Sequence, residues 1–202
     1  MISGVVLAGG RGVRLGQDKR MAKIRGVSLV DHAAALLDAV ADEVVIVTRD
    51  EEGRRGPWRV IRDEVPDRGP LVGLLNGLRA ARYPHVLLLP IDTPLVTRHF
   101  LAYLRDICAG WDVVVPRWRR LEPLVGAYAR TCVPYLEAAA RSGRGSLGDF
   151  IQSTPLSVRI LRTDEVARFG DPRWLFLNVN RAQDLEAAEA RLRRAAVPAG
   201  GA

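Results

Sequence analysis

Lysine is nearly absent from this 202-residue sequence: among 30 basic residues only Lys19 and Lys23 are lysines, and all the others are arginines. Such a bias usually reflects genome composition, so most of the arginines individually give no evidence of function. An ammonium group is a compact charge that the planar guanidinium of arginine does not reproduce. The position of Lys19 beside a glycine-rich loop therefore draws attention to that side chain.

Cysteine is also scarce, with only two residues in the chain. Cys108 and Cys132 lie far apart and match neither a C-x-x-C motif nor a zinc-binding spacing. A disulfide between the two is the alternative, but we expect two plain buried thiols and a reducing cytoplasm. Histidine offers no alternative metal or catalytic pattern, because His32, His85 and His99 match no metal or triad spacing.

Long apolar runs are missing as well. No stretch reaches the roughly 18 residues of a membrane-spanning helix, and the first residues lack the basic region of a signal peptide. We therefore expect a soluble cytoplasmic protein with no membrane partner.

The net charge of +7 favours an anionic partner. The arginine-rich spots at 54–55, 117–120 and 191–194 are scattered, and aromatic residues do not alternate with them as in a nucleic-acid platform. A small phosphorylated substrate is the simpler interpretation, and no nucleic acid is expected.

Strand and helix patterns alternate along the chain. Strands are predicted at 4–8, 43–48, 58–61, 85–91, 112–116, 124–129, 156–161 and 174–179, and helices at 28–40, 71–82, 97–108, 132–141, 146–152 and 182–194. This order predicts an α/β fold, a three-layer Rossmann-like sandwich with a mostly parallel central sheet. We expect a single domain over 1–194 and a disordered tail over 195–202.

Ligands of such sheets bind beyond the carboxyl ends of the strands. Three features follow predicted strands directly: the loop 9–19, Asp63 and Asp92. These are the candidate site.

The first loop matches neither common phosphate-binding fingerprint. Leu15 stands where a Rossmann pattern needs glycine, and the Gly-Lys-Ser/Thr ending of a P-loop is absent. Glycines allow backbone N–H groups to approach an anion, and Arg14 and Lys19 can neutralise a triphosphate. A flexible basic loop remains the alternative.

The polar residues that follow later strands also have two interpretations each. Asp92 is either a turn former or a ligand of Mg²⁺, since the next helix begins only near Thr97. Asn180 with Gln183 has the spacing of a helix capping box. Asn178 would lie on the same strand face, so that one asparagine could cap while the other binds a ligand.

Taken together, the motifs resemble one family, the MobA molybdenum cofactor guanylyltransferases of the nucleotidyltransferase superfamily, whose fold is nucleotide-diphospho-sugar transferase-like. The resemblance covers 5–185 and rests on five segments: Leu7-Ala8-Gly9-Gly10 through Lys19, Gly69-Pro70-Leu71-Val72-Gly73, Asp92-Thr93-Pro94, Glu122-Pro123-Leu124 and Asn178-Val179-Asn180.

The resemblance implies a role for each matching residue. Leu7, Ala8, Gly9 and Gly10 would contact the nucleotide, with Asp63 beside it, and Lys19 would bind its phosphates, assisted by Arg14. Asp92 would coordinate Mg²⁺ together with Asn180, while Asn178 and Asn180 would lie at the acceptor. Two departures bear on base specificity: no asparagine is present at Val47 or Thr48, and the first loop is about one residue shorter than in some members.

The implied reaction is transfer of GMP from GTP to the terminal phosphate of Mo-molybdopterin, with release of pyrophosphate. Lys19, Arg14 and Asp92 would be the catalytic residues, and transient contact with molybdoenzyme-assembly proteins is expected. The alternatives are a cytidylyltransferase acting on molybdopterin, a sugar-phosphate nucleotidyltransferase, and a non-catalytic protein that binds GTP during cofactor assembly.

Overall fold

The chain folds around a twisted central sheet, seen here in a computed structural model that describes residues 1–9, 21–49, 56–63, 69–143 and 146–196. The strands are β1 Ser3–Leu7, β2 Lys23–Ile24, β3 Val27–Ser28, β4 Glu43–Thr48, β5 Arg59–Arg62, β6 His85–Pro90, β7 Val113–Trp118, β8 Arg120–Leu121, β9 Gly126–Ala129 and β10 Val158–Leu161. The helices are α1 Leu29–Asp38, α2 Pro70–Ala80, α3 Arg98–Ile107, α4 Val133–Ser142, α5 Leu147–Ser153, α6 Thr163–Ala167, α7 Pro172–Leu175 and α8 Ala182–Ala196, with a 3₁₀ turn at Arg130–Cys132.

The central sheet has the strand order β10-β7-β9-β6-β1-β4-β5, while β8 pairs with β7, and β2 and β3 form a separate hairpin. The β1–β4, β1–β6, β4–β5 and β7–β10 pairs are parallel. Strand β9 is antiparallel to both of its neighbours. The prediction of a mostly parallel sheet is therefore confirmed.

Helices cover both faces of this sheet. Successive side chains of a strand point to opposite faces, so neighbouring residues of one strand pack against different helices. Val6 belongs to a buried cluster with α1 and α3, whereas Val5 and Leu7 belong to a second cluster with α2, α4 and α5. The result is the predicted three-layer sandwich.

Local signals fix the ends of several helices. The Ser28 hydroxyl accepts from the Asp31 N–H at the start of α1, and Ser146 with Asp149 forms the predicted capping box of α5. Gly69 precedes α2 with a φ of 81°, a conformation that favours glycine.

The prediction of a strand at 174–179 is wrong. Pro172–Leu175 is a short helix, and residues 177–180 belong to no regular element. The Asp171 carboxylate accepts from the Arg173 N–H, and Pro172 occupies the first turn, where its missing N–H costs nothing. Phe176 and Val179 are buried against the core without pairing in the sheet.

The thiol prediction is confirmed, since Cys108 and Cys132 are both free and buried. Within the described residues, no helix is long and apolar enough to cross a bilayer. Helix α8 extends to Ala196, two residues beyond the predicted end, and 197–202 lie outside the described residues.

Candidate active site

The strand order reverses at β1, and this reversal creates the crevice in which a ligand of such a sheet binds. The chain passes from β1 outward to β4 and β5 and then returns to β6 on the other side of β1. The Ala8 N–H donates to Val47 O at 2.9 Å, and the Ile91 N–H donates to Leu7 O at 3.2 Å. The first residues after β1 and β6 therefore lie at one edge of the sheet.

The start of the glycine-rich loop lies at this edge. Leu7 and Ala8 are buried, whereas Gly9 is exposed. A Cβ at Gly9 would meet no atom of the described residues within 4 Å. Gly10, Arg14 and Lys19 lie outside the described residues, and the roles assigned to them remain predictions.

Asp63 is tied to the same edge through β4 and α2. Its N–H donates to Thr48 O at 2.6 Å, and its Oδ1 accepts from Asn76 Nδ2 at 2.9 Å. Asn76 is only 7% exposed. Asn76 was not among the predicted site residues, although a polar residue among the buried apolar positions of α2 is a signal that the sequence contains.

Backbone and side-chain contacts hold the Asp92 turn. The Val179 N–H donates to Asp92 O at 2.7 Å, and His32 Nε2 donates to Pro94 O at 2.8 Å. The Thr97 hydroxyl accepts from the Phe100 N–H, so Thr97 and not Asp92 caps α3. The Oδ1 of Asp92 is buried from solvent.

The bond between Val179 and Asp92 brings Asn178 and Asn180 to the carboxyl end of β6. They lie in an irregular segment, and the expectation that they share one face of a strand is wrong. At the start of α8 the Asp184 carboxylate accepts from the N–H groups of Asn180 and Arg181, at 2.9 and 2.8 Å. The side chain that accepts from these N–H groups is therefore Asp184, and not Gln183 as predicted.

A cavity of about 850 Å³ opens beside these residues. It is lined from β6 and its following loop, from the start of α2, from β7 and β8, from α5 and from the asparagine segment. The lining residues are Gly69, Pro70, Leu71, Pro90, Thr93, Arg117, Arg119, Arg120, Leu121, Glu122, Pro123, Leu124, Val125, Ser146, Leu147, Gly148, Gln152, Asn178 and Asn180.

The charged residues that line the cavity could be predicted only in part from the sequence. Arg117, Arg119 and Arg120 formed one of the scattered basic spots, and their shared wall follows from the β7–β8 hairpin. Arg119 has a φ of 54°, and its guanidinium lies 4.6 Å from the centroid of the Trp118 ring. Burial raises the pKa of Glu122 to about 6, and nearby Arg120 opposes that shift.

The described residues contain no group of three or more histidine, cysteine, aspartate or glutamate side chains that could hold a metal ion. Among the described residues, a cation at this edge would find few ligands. This is the usual situation of Mg²⁺, which is commonly bound through one or two carboxylates, substrate phosphates and water.

Comparison with known proteins agrees with this architecture, since residues 4–158 match the MobA-like NTP transferase domain. The chain belongs to this family. It is 32% identical over 186 residues to a probable molybdenum cofactor guanylyltransferase of Pelotomaculum thermopropionicum, covering 91% of this chain and 89% of the relative. A protein of the same description from Natronomonas pharaonis is 33% identical over 210 residues, covering 94% and 98%.

A solved structure of a MobA-like protein has the same fold. Molybdopterin-guanine dinucleotide biosynthesis protein A of Archaeoglobus fulgidus superimposes with a TM-score of 0.81 at 26% identity, covering 95% of this chain and 99% of that one. Membership in the MobA-like family makes the chain an enzyme, a nucleotidyltransferase.

Proposed function

We propose that the protein is a molybdenum cofactor guanylyltransferase, which transfers GMP from GTP to the terminal phosphate of Mo-molybdopterin and releases pyrophosphate. The observation that carries the proposal is the convergence of Ala8, Asp63 and Asp92 at one edge of the sheet, directly beside an arginine-lined cavity. A nucleotide and an anionic acceptor can thus meet at Asp92.

The nucleotide is assigned to the β1 side of this edge. The exposed Gly9 backbone lets a ligand approach closely, and the Asp63 carboxylate is held in position by Asn76. Lys19 and Arg14 are assigned to the phosphates, as the charge of a triphosphate requires.

Asp92 and Asn180 would hold a divalent cation, which we propose to be Mg²⁺. Their carboxylate and amide oxygens are hard ligands of the kind that Mg²⁺ prefers. The bond between Val179 and Asp92 keeps the two residues in neighbouring backbone segments. When bound, the cation supplies neutralisation of the charge on the triphosphate and on the departing pyrophosphate.

The acceptor is assigned to the cavity. Its terminal phosphate oxygen forms a bond to the α-phosphorus of GTP, and the bond from that phosphorus to the bridging oxygen of the β-phosphate breaks. Arg117 and Arg119 attract the acceptor phosphate. Most of the rate acceleration then comes from orientation and from charge stabilisation.

No protein nucleophile is needed for this transfer. Burial raises the pKa of Cys132 to about 12 and also raises that of Cys108, so neither thiol ionises at neutral pH. Two free thiols are compatible with a reducing compartment, and we propose that the enzyme acts in the cytoplasm, in transient contact with molybdoenzyme-assembly proteins.

Pyrophosphate release tests the activity and the base preference together. The full chain is incubated with Mo-molybdopterin, Mg²⁺ and one of GTP, CTP, ATP or UTP. Release with GTP at least tenfold faster than with the other nucleotides is the expected result. Faster release with CTP would identify a cytidylyltransferase, and binding of GTP without release would identify a non-catalytic assembly protein.

The Asp92→Ala variant tests the metal assignment. We expect Mg²⁺-dependent release to be abolished while the fold remains intact, with Asp106→Ala as a control because Asp106 is an exposed aspartate on α3. Near-normal release by Asp92→Ala would contradict the assignment.

A further inference from the structure

The proposed reaction uses arginines of the acceptor cavity but assigns no role to the one carboxylate of its described lining, Glu122. In the described lining, the charged residues are Arg117, Arg119, Arg120 and Glu122. A carboxylate repels a phosphate, so Glu122 cannot serve the anionic end of the acceptor.

The burial of Glu122 is poorly compensated by protein groups. Its side chain is 16% exposed, whereas that of Arg120 is 80% exposed. The shortest separation of the two, from Arg120 Nε to Glu122 Oε1, is 4.0 Å, which is too long for a hydrogen bond. A partly buried carboxylate with no close donor among the described residues is unfavourable. A ligand with N–H groups would relieve that cost.

The backbone holds Glu122 in a defined place. Its N–H donates to Pro116 O at 3.0 Å, and its carbonyl accepts from the Val125 N–H at 3.2 Å. The hydroxyl of Tyr128, a fully buried residue of β9, donates to the carbonyl of the next residue, Pro123. These bonds fix the backbone from which the Glu122 side chain enters the cavity wall.

From this arrangement we infer that the Glu122 carboxylate binds the 2-amino-4-oxopyrimidine edge of the acceptor's pterin ring, an inference that rests on the proposed function. The exocyclic amino group and the adjacent ring N–H are two parallel donors, which a carboxylate accepts in bidentate fashion. Leu121, Leu124 and Val125 beside it supply apolar surface for the ring faces.

Glu122, Arg117 and Arg119 thereby distinguish the two ends of the acceptor. The carboxylate attracts the ring edge and repels the phosphate, whereas Arg117 and Arg119 attract the phosphate. Arg120 lies 4.0 Å from the carboxylate and therefore marks neither end. Opposite charges in one cavity fix the direction in which the acceptor enters, and Glu122 is a specificity-determining residue for the acceptor.

The test is a fluorescence titration of the full chain with oxidised 6-hydroxymethylpterin monophosphate, which carries both the ring edge and a terminal phosphate. We expect Glu122→Ala to weaken binding 10- to 100-fold, the range for bonds to a charged group. Glu122→Gln, which keeps one acceptor oxygen, should lie between. Glu186→Gln, at an exposed glutamate of α8, is the control and should bind as the native chain does.

Two further ligands separate ring recognition from general damage. The corresponding lumazine phosphate, in which an oxo group replaces the 2-amino group, should bind the native chain weakly and lose little in Glu122→Ala. Inorganic phosphate should bind Glu122→Ala at least as tightly as it binds the native chain, because a repelling charge has been removed.

Failure of this inference is distinguishable from failure of the proposed function. Equal binding of the pterin phosphate by the native chain and Glu122→Ala, or no measurable binding by the native chain, would overturn the role of Glu122. The GMP-transfer assay would remain unaffected by either result. Conversely, absence of pyrophosphate release would overturn the guanylyltransferase proposal while the pterin titration still reported on Glu122.

Discussion

Asn76 shows how one buried amide can act on a site that it does not enter. Its Nδ2 donates to Asp63 Oδ1 at 2.9 Å from within helix α2. A hydrogen bond from a buried amide holds the carboxylate in one orientation. Asn76 is therefore a positioning residue for the nucleotide side of the edge.

We expect Asn76→Ala to raise the KM for GTP about tenfold and to leave kcat nearly unchanged, because a hydrogen bond to a charged group contributes roughly 1.5 kcal/mol. Steady-state pyrophosphate release measures both constants. Asn76→Ser, which keeps a hydroxyl donor, should recover part of the loss. An unchanged KM in Asn76→Ala would argue against positioning, and a fall in kcat alone would place Asn76 elsewhere in the reaction.

Glu122 makes the stability of the fold depend on pH, because burial raises its pKa from an ordinary value of 4.5 to about 6. Between these two values the folded chain binds a proton that the unfolded chain does not. The stability from that proton is complete below pH 4.5 and is lost as the pH rises through about 6.

We therefore expect the native chain to lose about 1–2 kcal/mol of unfolding free energy, relative to Glu122→Gln, between pH 4.5 and 6.5. Urea denaturation of both proteins across this range gives the difference. The comparison cancels the titration of all other groups, so a constant difference would show that Glu122 has an ordinary pKa.

Helix α2 lies so close to β1 that one of its glycines has no room for a side chain. A Cβ at Gly77 would lie 2.5 Å from Val5 Cγ1, on a buried strand in the middle of the sheet. A Cβ at Gly73 would lie 3.0 Å from Leu7 Cδ2, the far end of a flexible side chain. The two positions therefore differ in what a methyl group would cost.

We expect Gly77→Ala to destabilise the chain by about 1–3 kcal/mol, because overpacking outweighs the better helix propensity of alanine. Gly73→Ala should change the stability by less than about 1 kcal/mol, since Leu7 can move and the propensity gain offsets the contact. Urea denaturation compares the two. A stable Gly77→Ala would mean that α2 can shift away from β1.

Elements with a strong local signal could be predicted from the sequence. The strand at 43–48 was predicted with its observed bounds, because a β-branched run has one simple interpretation. The segment 174–179 was predicted wrongly, since an apolar run looks the same whether it pairs in a sheet or packs as a short helix. The antiparallel direction of β9 could not be predicted, because side-chain patterns carry no strand direction.

The candidate site was predictable to a similar degree. Asp63 and Asp92 could be proposed because both follow strands, and the ends of parallel strands meet at one edge. The contact of Asn76 with Asp63, and the cavity formed by Arg119, Glu122 and Asn178, depend on packing between segments far apart in the sequence. No local pattern reports such packing.

At the scale of the whole molecule, the sheet gathers residues from both ends of the chain at one edge. Leu7 pairs with Pro90 in the β1–β6 ladder, which places Asp92 just beyond the end of β1. The Val179 N–H, from a segment that follows β10 in the chain, donates to Asp92 O. A ligand at this edge therefore contacts both halves of the chain. Binding there should stabilise the entire fold against unfolding, and not only the loops that contact the ligand.

Thermal unfolding tests this coupling. GTP with Mg²⁺ at 100 times the dissociation constant should add about 2.7 kcal/mol to the unfolding free energy, which is a rise in Tm of roughly 5–10 °C for a chain of this size. GTP without Mg²⁺ should give a smaller rise. If Asp92 holds the cation, Asp92→Ala should show the same small rise with and without Mg²⁺, whereas Asp106→Ala should retain the full metal-dependent rise. A metal-dependent rise that survives in Asp92→Ala would place the cation elsewhere, even if that variant were inactive.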